Sequence, residues 1–282
     1  MSLFKMGCDP EVFIGDRRTG NVIPICGLIG GTKEKPLQIE DDPNYALQED
    51  NVMLEFNTPP ATGVRSFVRT VNIGLGHAKR KVTQANANYE VIPGCAYMFT
   101  DDVLSAHPAS YEFGCSPDFD AYQPGNANST ITKYSLYEPP HGSWRFAGGH
   151  LHLGGNLVPP EHICAMFCDV CLGLPSVAAD KQGKRRPLYG SPGRYRKTPY
   201  GIEYRTLSNF WVFDKFYTEL IARKLYYLGE FLTNEENEKI IIKALKEIPW
   251  YDVRCAISEE NEQLAAALLR FISQDISGVP VV

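Results

Sequence analysis

Four short segments of the sequence each carry two polar side chains separated by one residue. In an extended strand this spacing places both side chains on the same face, because successive residues point to opposite faces. The pairs contain only carboxylates, imidazoles, one amide and one guanidinium, without lysine, serine or threonine. A solvated strand face is the usual explanation of a single pair, but the four together predict a site for divalent cations. They are Asp9 and Glu11 in GCDPEVFI, Glu55 and Asn57 in MLEFN, His150 and His152 in GGHLHLGG, and Glu203 and Arg205 in GIEYRTL.

The chemistry of these groups favours Mg²⁺ or Mn²⁺. Carboxylates gathered on one concave sheet face repel one another unless cations lie between them. Carboxylate oxygens with an imidazole nitrogen suit these ions in open sites that leave room for phosphate oxygens. The two histidines stand among glycines, which lets backbone or ligand come close to the strand. On the opposite face of that strand we expect Leu151 and Leu153 to be buried.

Composition and charge limit the class of protein. The chain has 282 residues, of which 44% are hydrophobic and 22% charged, enough for one large domain or two intimate ones. A formal net charge of −5 argues against a protein that binds nucleic acid over its whole surface. No apolar run reaches the length of a membrane span or a signal peptide. The eight cysteines favour reduced thiols. We therefore expect a soluble, cytoplasmic protein with no membrane partner.

The pattern of apolar residues predicts an α+β fold, with strands in the first two thirds of the chain and helices in the last third. Apolar residues three and four positions apart predict a helix over residues 61–88, and a second helix begins near Pro159–Pro160. From Asp214 onward three segments have helical spacing. We expect residues 1–211 to form the catalytic region and residues 212–282 a helical region packed on the same domain.

The segments DPE, LEFN, GGHLHLGG and IEYRTL, in that order, resemble the metal- and nucleotide-binding strands of the glutamine synthetase and γ-glutamylcysteine synthetase superfamily. The closest resemblance is to its phage-encoded carboxylate–amine ligases, or amidoligases, and it runs from about Gly7 to Trp211. It implies a curved antiparallel sheet with helices on its outer face. It also implies ATP-dependent formation of an amide bond through an acyl phosphate, with ATP and Mg²⁺ (or Mn²⁺) as cofactors, in the host cytoplasm if the protein is phage-encoded.

The resemblance implies a role for each polar pair. His152 would lie beside the nucleotide and its phosphates, and Arg205 would contact a phosphate. Glu203, Arg205 and Arg194 are the expected catalytic residues. The family more often has glutamate where this chain has Asp9, whose shorter side chain would reach a metal through water. The implied metal ligands are Asp9, Glu11, Glu55, His150 and Glu203.

A basic segment precedes the last of these strands. KQGKRRPLYGSPGRYRK, residues 181–197, has seven basic residues and no acidic one. A solvated loop and a nucleic-acid patch are the alternatives, but its position resembles that of the superfamily's clamps on ATP phosphates and substrate carboxylate. A guanidinium fork suits both anions, so Arg186 and Arg194 are the expected contacts. The glycine turn GLIGGTKEKP presents Lys33 as a second candidate phosphate contact, although its spacing is not that of a P-loop.

Other interpretations of the chain stay open at this point. Cys164, Cys168 and Cys171 have the C-x3-C-x2-C spacing of radical-SAM iron–sulfur proteins, which is also one face of a buried helix. Asp118 and Asp120 stand in a turn-rich segment, where aspartates usually cap a loop. The alternative is that they bind the substrate amine. A catalytically inactive nucleotide-binding module is a further alternative. The partners expected of an enzyme are ATP and small-molecule or peptide carboxylates and amines, with nucleic acid disfavoured and a homo-oligomer left open.

Overall fold

The computed structural model describes residues 4–111, 118–123, 143–183 and 185–281. Its strands form a strongly curled antiparallel half-barrel, which confirms the predicted α+β class and curved sheet. The first sheet has the order β1 (Phe4–Cys8), β11 (Leu151–Gly155), β13 (Gly201–Tyr204), β12 (Arg194–Thr198) and β9 (Phe119–Asp120). The second has the order β3 (Val22–Ile23), β2 (Glu11–Asp16), β6 (Met53–Asn57), β5 (Asp42–Asp50) and β4 (Leu37–Ile39), with β7 (Tyr89–Ile92) also paired to β2. A separate pair consists of β8 (Ala96–Met98) and β10 (Trp144–Phe146).

Helices cover the outer face of the first sheet and fill the C-terminal third, as predicted. The helix predicted over residues 61–88 is confirmed as α1, which buries Phe67 and Val71. The helix expected after Pro160 is α3. It starts as an α-helix, passes through a π-helical turn and ends in a further α-helical turn. The helices are α1 (Val64–Ala85), α2 (Asp101–Ser105), α3 (Glu161–Cys168, then Asp169–Gly173 and Leu174–Ser176), α4 (Arg185–Leu188), α5 (Lys215–Thr233), α6 (Glu238–Glu247), α7 (Trp250–Ser258) and α8 (Glu262–Asp275).

One hydrophobic core includes residues from both predicted regions of the chain. It contains Phe4 and Leu151 of the first sheet together with Leu225 of α5 and Ile272 of α8. Helix α5 packs against β1, α1 and β11. The boundary between residues 211 and 212 stays a prediction.

The segment GCDPEVFI, predicted to be one strand, consists of two strands that belong to different sheets. β1 ends at Cys8 and pairs with β11, whereas β2 begins at Glu11 and pairs with β6. Pro10 separates them because its ring fixes φ and it has no N–H to donate to a strand neighbour. Asp9 and Glu11 therefore do not share a strand face, and each faces a different group of carboxylates.

The basic segment 181–197, predicted to be a loop, contains regular structure at both ends. Residues 185–188 form α4, and the segment's last residues form the first part of β12. β12 lies between β13 and β9 in the first sheet. The arginines of β12 are therefore held by strand pairing.

Replacing Leu151 with alanine is expected to destabilise the fold without altering the polar face of its strand. Leu151 is 1% exposed and lies in the hydrophobic core. Truncation of a buried leucine costs about 2–5 kcal/mol in the free energy of unfolding. Chemical denaturation measures this loss, and titration of the folded fraction with Mn²⁺ or ATP should give unchanged affinities. Altered affinities in this variant, with both histidine-to-alanine variants active, would mean that the strand faces are assigned backwards.

Candidate active site

The candidate site lies where the two sheets meet, on the face opposite the helices. Strand pairing places His152 between Gly7 and Glu203, and Glu203 between His152 and Arg196. These residues form one row across β1, β11, β13 and β12. Because neighbours in register point to the same face of a sheet, the row brings an imidazole, a carboxylate and a guanidinium together.

A first cluster of possible metal ligands consists of Asp9, His152 and Glu203, whose ligand atoms lie within 4.8 Å of one another. His152 Nε2 is 3.0 Å from Asp9 Oδ1. His150 Nδ1 is 3.7 Å from the same oxygen and 3.5 Å from Glu203 Oε1. Both histidines thus face the same carboxylates, as the period of two predicts, while Leu151 and Leu153 are 1% exposed on the other side.

Gly148, two residues before the first histidine, has to be small for a steric reason. A Cβ at Gly148 would lie 2.1 Å from His150 Nε2, so the ring could not occupy its position beside any other residue. The backbone N–H of Gly148 also donates to Glu11 Oε2 at 2.6 Å. This glycine therefore leaves room for the ring of His150 and holds a carboxylate of the second sheet in place.

A second cluster consists of Glu11, Asp50 and Glu55, whose oxygens also lie within 4.8 Å of one another. Glu11 and Glu55 are directly opposite each other on β2 and β6, with exposures of 3% and 8%. Asp50 ends β5, beside the turn into β6, and the sequence interpretation missed it. Its signal in the sequence, an acidic residue before Asn51, is typical of any turn.

The electrostatics of the second cluster favour a bound cation or a bound proton. Burial is the largest cause and the negative charge of Asp50 the second, and together they raise the pKa of Glu11 to about 8. The Gly148 N–H and Arg205 lower this pKa, but by less. Burial and the charges of Asp9 and Asp50 raise the pKa of Glu55 well above its usual value. These shifts arise because several carboxylates share a space from which water is largely excluded.

The first cluster fits a divalent cation for a different reason. Asp9 Oδ1 and His152 Nε2 are both buried, lie 3.0 Å apart and have no other hydrogen-bond partner among the described residues. Burial and the charge of Arg205 hold the pKa of His150 well below its usual value, so its ring is neutral and offers a lone pair. Burial raises the pKa of Glu203, but Arg205 and Arg196 outweigh it and lower the value, so this carboxylate is ionised. Oxygen and imidazole ligands of this kind suit Mg²⁺ or Mn²⁺.

Guanidinium groups surround the far side of Glu203. Arg205 Nη1 donates to Glu203 Oε1, and Arg196 Nη1 donates to Glu203 Oε2 at 3.0 Å. Arg205 Nε is 3.7 Å from Asp118 Oδ2, and Arg194 Nη1 is 3.5 Å from Asp118 Oδ1. Arg196 was not among the residues chosen from the sequence, although it lies two residues after Arg194 on the same strand. The structure therefore brings Arg205 to the carboxylate of Glu203 and adds Arg196, whereas Arg194 pairs with Asp118.

Two other basic residues have different surroundings. Arg186 is 2% exposed, and its guanidinium is 3.8 Å from Asp180 and 3.6 Å from Glu260. These acids belong to neither cluster. Lys33 is exposed and follows a glycine turn whose backbone N–H groups already bind the carboxylate of Glu49. Their assignments as phosphate contacts stay predictions.

The glycine turn holds a carboxylate of the chain itself. Glu49 accepts hydrogen bonds from the backbone N–H groups of Gly27, Ile29 and Gly30 at 2.6, 2.7 and 2.7 Å. Gly27 and Gly30 have φ values of 75° and 79°, which favour glycine and point successive N–H groups toward one anion. The turn is an anion-binding nest, and its occupant is Glu49.

A cavity of about 1090 Å³ opens beside Asp9 and His152. One wall of the cavity is a row of paired residues in the first sheet, two positions along the strands from the row that contains His152. This row consists of Lys5, Gly154, Gly201 and Thr198. The glycines leave the middle of this row free of side chains. The volume slightly exceeds the usual range for ligand pockets, roughly 300–1,000 Å³, and is large enough for a nucleotide.

The three helical cysteines lie in the core. Cys164, Cys168 and Cys171 are each no more than 1% exposed. Burial raises the pKa of Cys164 and of Cys171 to about 12, so their thiols keep their protons at neutral pH. Among the described residues, no group with metal-ligand geometry includes a cysteine. Their spacing follows from a buried helix face, and the iron–sulfur alternative is not favoured.

Comparison with known families bears on the strands that carry the histidines and the Glu203–Arg205 pair. Residues 140–245 match the model of the Phage phiEco32-like COOH.NH2 ligase-type 2 family. The match confirms the resemblance to amidoligases and supports an enzyme that forms C–N bonds. No curated protein matches the chain. The acidic residues of the second cluster precede the part matched to the COOH.NH2 ligase family, so their assignment depends on the geometry described above.

In the part of the chain that the structure describes, no helix combines the length and the apolar character required to span a bilayer.

Proposed function

We propose that the protein is an ATP-dependent carboxylate–amine ligase that forms an amide bond through an acyl phosphate. The observation that carries this proposal is the pair of ligand clusters at the junction of the sheets, bordered by arginines and by a cavity of nucleotide size. The family match supports the reaction class. Phosphoryl transfer depends mostly on positioning and on neutralisation of charge. The carboxylate clusters could hold cations that neutralise charge, and the arginines could position the phosphates.

The metal-binding residues are proposed as two sets. Following the resemblance, Asp9, His150 and Glu203 would hold one cation, and His152, which belongs to the first cluster by geometry, would face the phosphates. Glu11, Asp50 and Glu55 would hold another cation. Bound Mg²⁺ or Mn²⁺ would neutralise phosphate oxygens during transfer. Asp50 joins the ligands inferred from the sequence because its carboxylate completes the second set.

The nucleotide is proposed to occupy the cavity with its phosphates toward His152. Arg205, which pairs with the carboxylate of Glu203, would contact the transferred phosphoryl group, and Arg194, which pairs with Asp118, would orient the substrate carboxylate. In the reaction the substrate carboxylate attacks the γ-phosphorus and ADP leaves. The amine then attacks the acyl carbon, and inorganic phosphate leaves.

Three arginines of the basic segment are buried, which argues against a nucleic-acid patch at these positions. Arg185, Arg186 and Arg194 are 0%, 2% and 8% exposed. A surface that follows a phosphodiester backbone needs accessible cations, whereas buried guanidinium groups suit the anions of a closed site. We therefore propose small-molecule or peptide carboxylates and amines as substrates.

Release of ADP is the direct test. The protein is incubated with ATP and Mg²⁺ or Mn²⁺ against a panel of amino acids, polyamines and dicarboxylates, with Glu203→Gln as the inactive control. We expect ADP release that depends on one carboxylate and one amine, and a rise in melting temperature with metal and ATP, because a ligand bound only to the native state stabilises it. A melting temperature unmoved by saturating metal and nucleotide would count against the proposal.

A further inference from the structure

Each histidine of the site is hydrogen-bonded to a tyrosine through the ring nitrogen that faces away from the carboxylates. His150 Nε2 is 3.0 Å from Tyr189 Oη, while its Nδ1 faces Asp9 and Glu203. His152 shows the opposite arrangement. Its Nδ1 is 2.6 Å from Tyr200 Oη, while its Nε2 faces Asp9. The two rings therefore present different nitrogens to the same carboxylates.

Tyr189 is held firmly enough to orient its histidine. It follows α4, and its ring lies between two guanidinium groups, 4.8 Å from that of Arg185 and 5.6 Å from that of Arg205. Its hydroxyl oxygen accepts a hydrogen bond from Arg205 Nη2 at 2.5 Å. One hydroxyl thus contacts both a proposed metal ligand and the arginine proposed to contact the phosphoryl group.

Tyr200 approaches from the other side, at the turn between β12 and β13. Its ring lies against Gly154 of β11, where a Cβ would come within 3.2 Å of Tyr200 Cδ2. The side chain is 53% exposed and lines the cavity next to His152. The turn therefore carries its hydroxyl to the part of the cavity where the phosphates are proposed to lie.

We propose that Tyr189 and Tyr200 are positioning residues that determine which nitrogen each histidine turns into the site: Nδ1 of His150 and Nε2 of His152. His150, as a neutral imidazole that offers a lone pair on Nδ1, carries its proton on Nε2, and the phenol oxygen of Tyr189 can accept that N–H. His152 has its Nε2 3.0 Å from Asp9 Oδ1, so the hydroxyl of Tyr200 can donate to Nδ1 and leave the N–H on Nε2. Histidines that bind metals commonly donate their second N–H to such a partner. The inference rests on the proposed function, which places a cation and phosphates beside these nitrogens.

The first experiment removes the hydroxyl of Tyr189 and keeps its ring. Mn²⁺ binding to full-length Tyr189→Phe is measured by calorimetry, with Tyr227→Phe, which is half exposed on α5, as the matched control. Loss of such a partner weakens metal binding by about 10–100-fold, so we expect this loss in Tyr189→Phe and unchanged binding in Tyr227→Phe. Tyr200→Phe should keep the Mn²⁺ affinity and raise the KM for ATP.

A spectroscopic measurement separates failure of this proposal from failure of the proposed function. The ¹⁵N shift of His150 Nε2 in metal-free protein should change in Tyr189→Phe and stay the same in Tyr227→Phe. If the parent protein binds no Mn²⁺, the proposed metal site is wrong, and the ¹⁵N shift still tests the tyrosine contact. An unchanged shift overturns the positioning role, as does an unchanged Mn²⁺ affinity in Tyr189→Phe when the parent protein binds the ion.

Discussion

Replacement of Arg205 by lysine is expected to lower the turnover of ATP by about a thousandfold or more, the scale on which an arginine acts in phosphoryl transfer. Arg205 bonds to Glu203 and Tyr189 and lies 3.7 Å from Asp118. A lysine keeps the charge but has one ammonium group, which cannot reproduce the planar fork that reaches these partners together. ADP release at saturating ATP, with the substrate pair found by the panel, measures the effect.

The matched control for this substitution is Arg223→Lys. Arg223 is on the surface of α5, with a side chain 56% exposed and paired with Glu219. Such exposed pairs contribute little to stability, so we expect parental turnover. Melting temperatures verify that both variants are folded. Turnover of a folded Arg205→Lys within tenfold of the parent would contradict the role assigned to this arginine.

The second large effect concerns stability in the absence of divalent cations. Burial and Asp50 raise the pKa of Glu11 from 4.5 to about 8. Between these values the folded protein keeps a proton on Glu11 that the unfolded chain has released, so the free energy of unfolding falls as the pH rises. The shift corresponds to no more than roughly 5 kcal/mol. We expect the melting temperature in EDTA to fall as the pH is raised through this window.

Glu11→Gln should flatten this dependence and melt above the parent protein at the alkaline end of the window, because the buried amide cannot ionise. Added Mn²⁺ should stabilise the parent at that pH more than it stabilises Glu11→Gln, which keeps only the first cluster intact. Glu90→Gln, which changes a carboxyl group 42% exposed on the surface, is the control and should follow the parent. Parallel pH profiles for Glu11→Gln and the parent would remove Glu11 from the buried carboxylate cluster.

Sequence periodicity was sufficient wherever one strand alone determined the outcome. The shared face of His150 and His152, and the burial of Leu151 and Leu153 behind them, follow from the alternation of a strand. The class of fold and the helical C-terminal third also follow from local patterns. The spacing of the polar residues indicates a metal site but does not specify a reaction. The reaction class is inferred instead from the order of the four motifs, which resembles that of the amidoligases.

Residues that join the site through pairing between strands were missed. Arg196 reaches Glu203 because β12 lies beside β13 in one particular register, and a single strand does not specify its neighbour. Arg194 and Arg196 are nevertheless polar residues separated by one position, which is the pattern that identifies the four polar pairs in the sequence. Tyr189 and Tyr200 lie in turns, where no periodicity marks a functional side chain. The strand break at Pro10 was available from the sequence, since proline interrupts strand pairing.

The passage of the chain between sheets at Pro10 would give the proposed cations a mechanical role. Asp9 on one side belongs to the first cluster and Glu11 on the other to the second. Cations held by both clusters would act as a reversible cross-link between the two sheets, comparable to a disulfide whose strength depends on the free concentration of the ion. In EDTA we expect the sheets to open as separate cooperative units in hydrogen exchange, and with Mn²⁺ as a single unit.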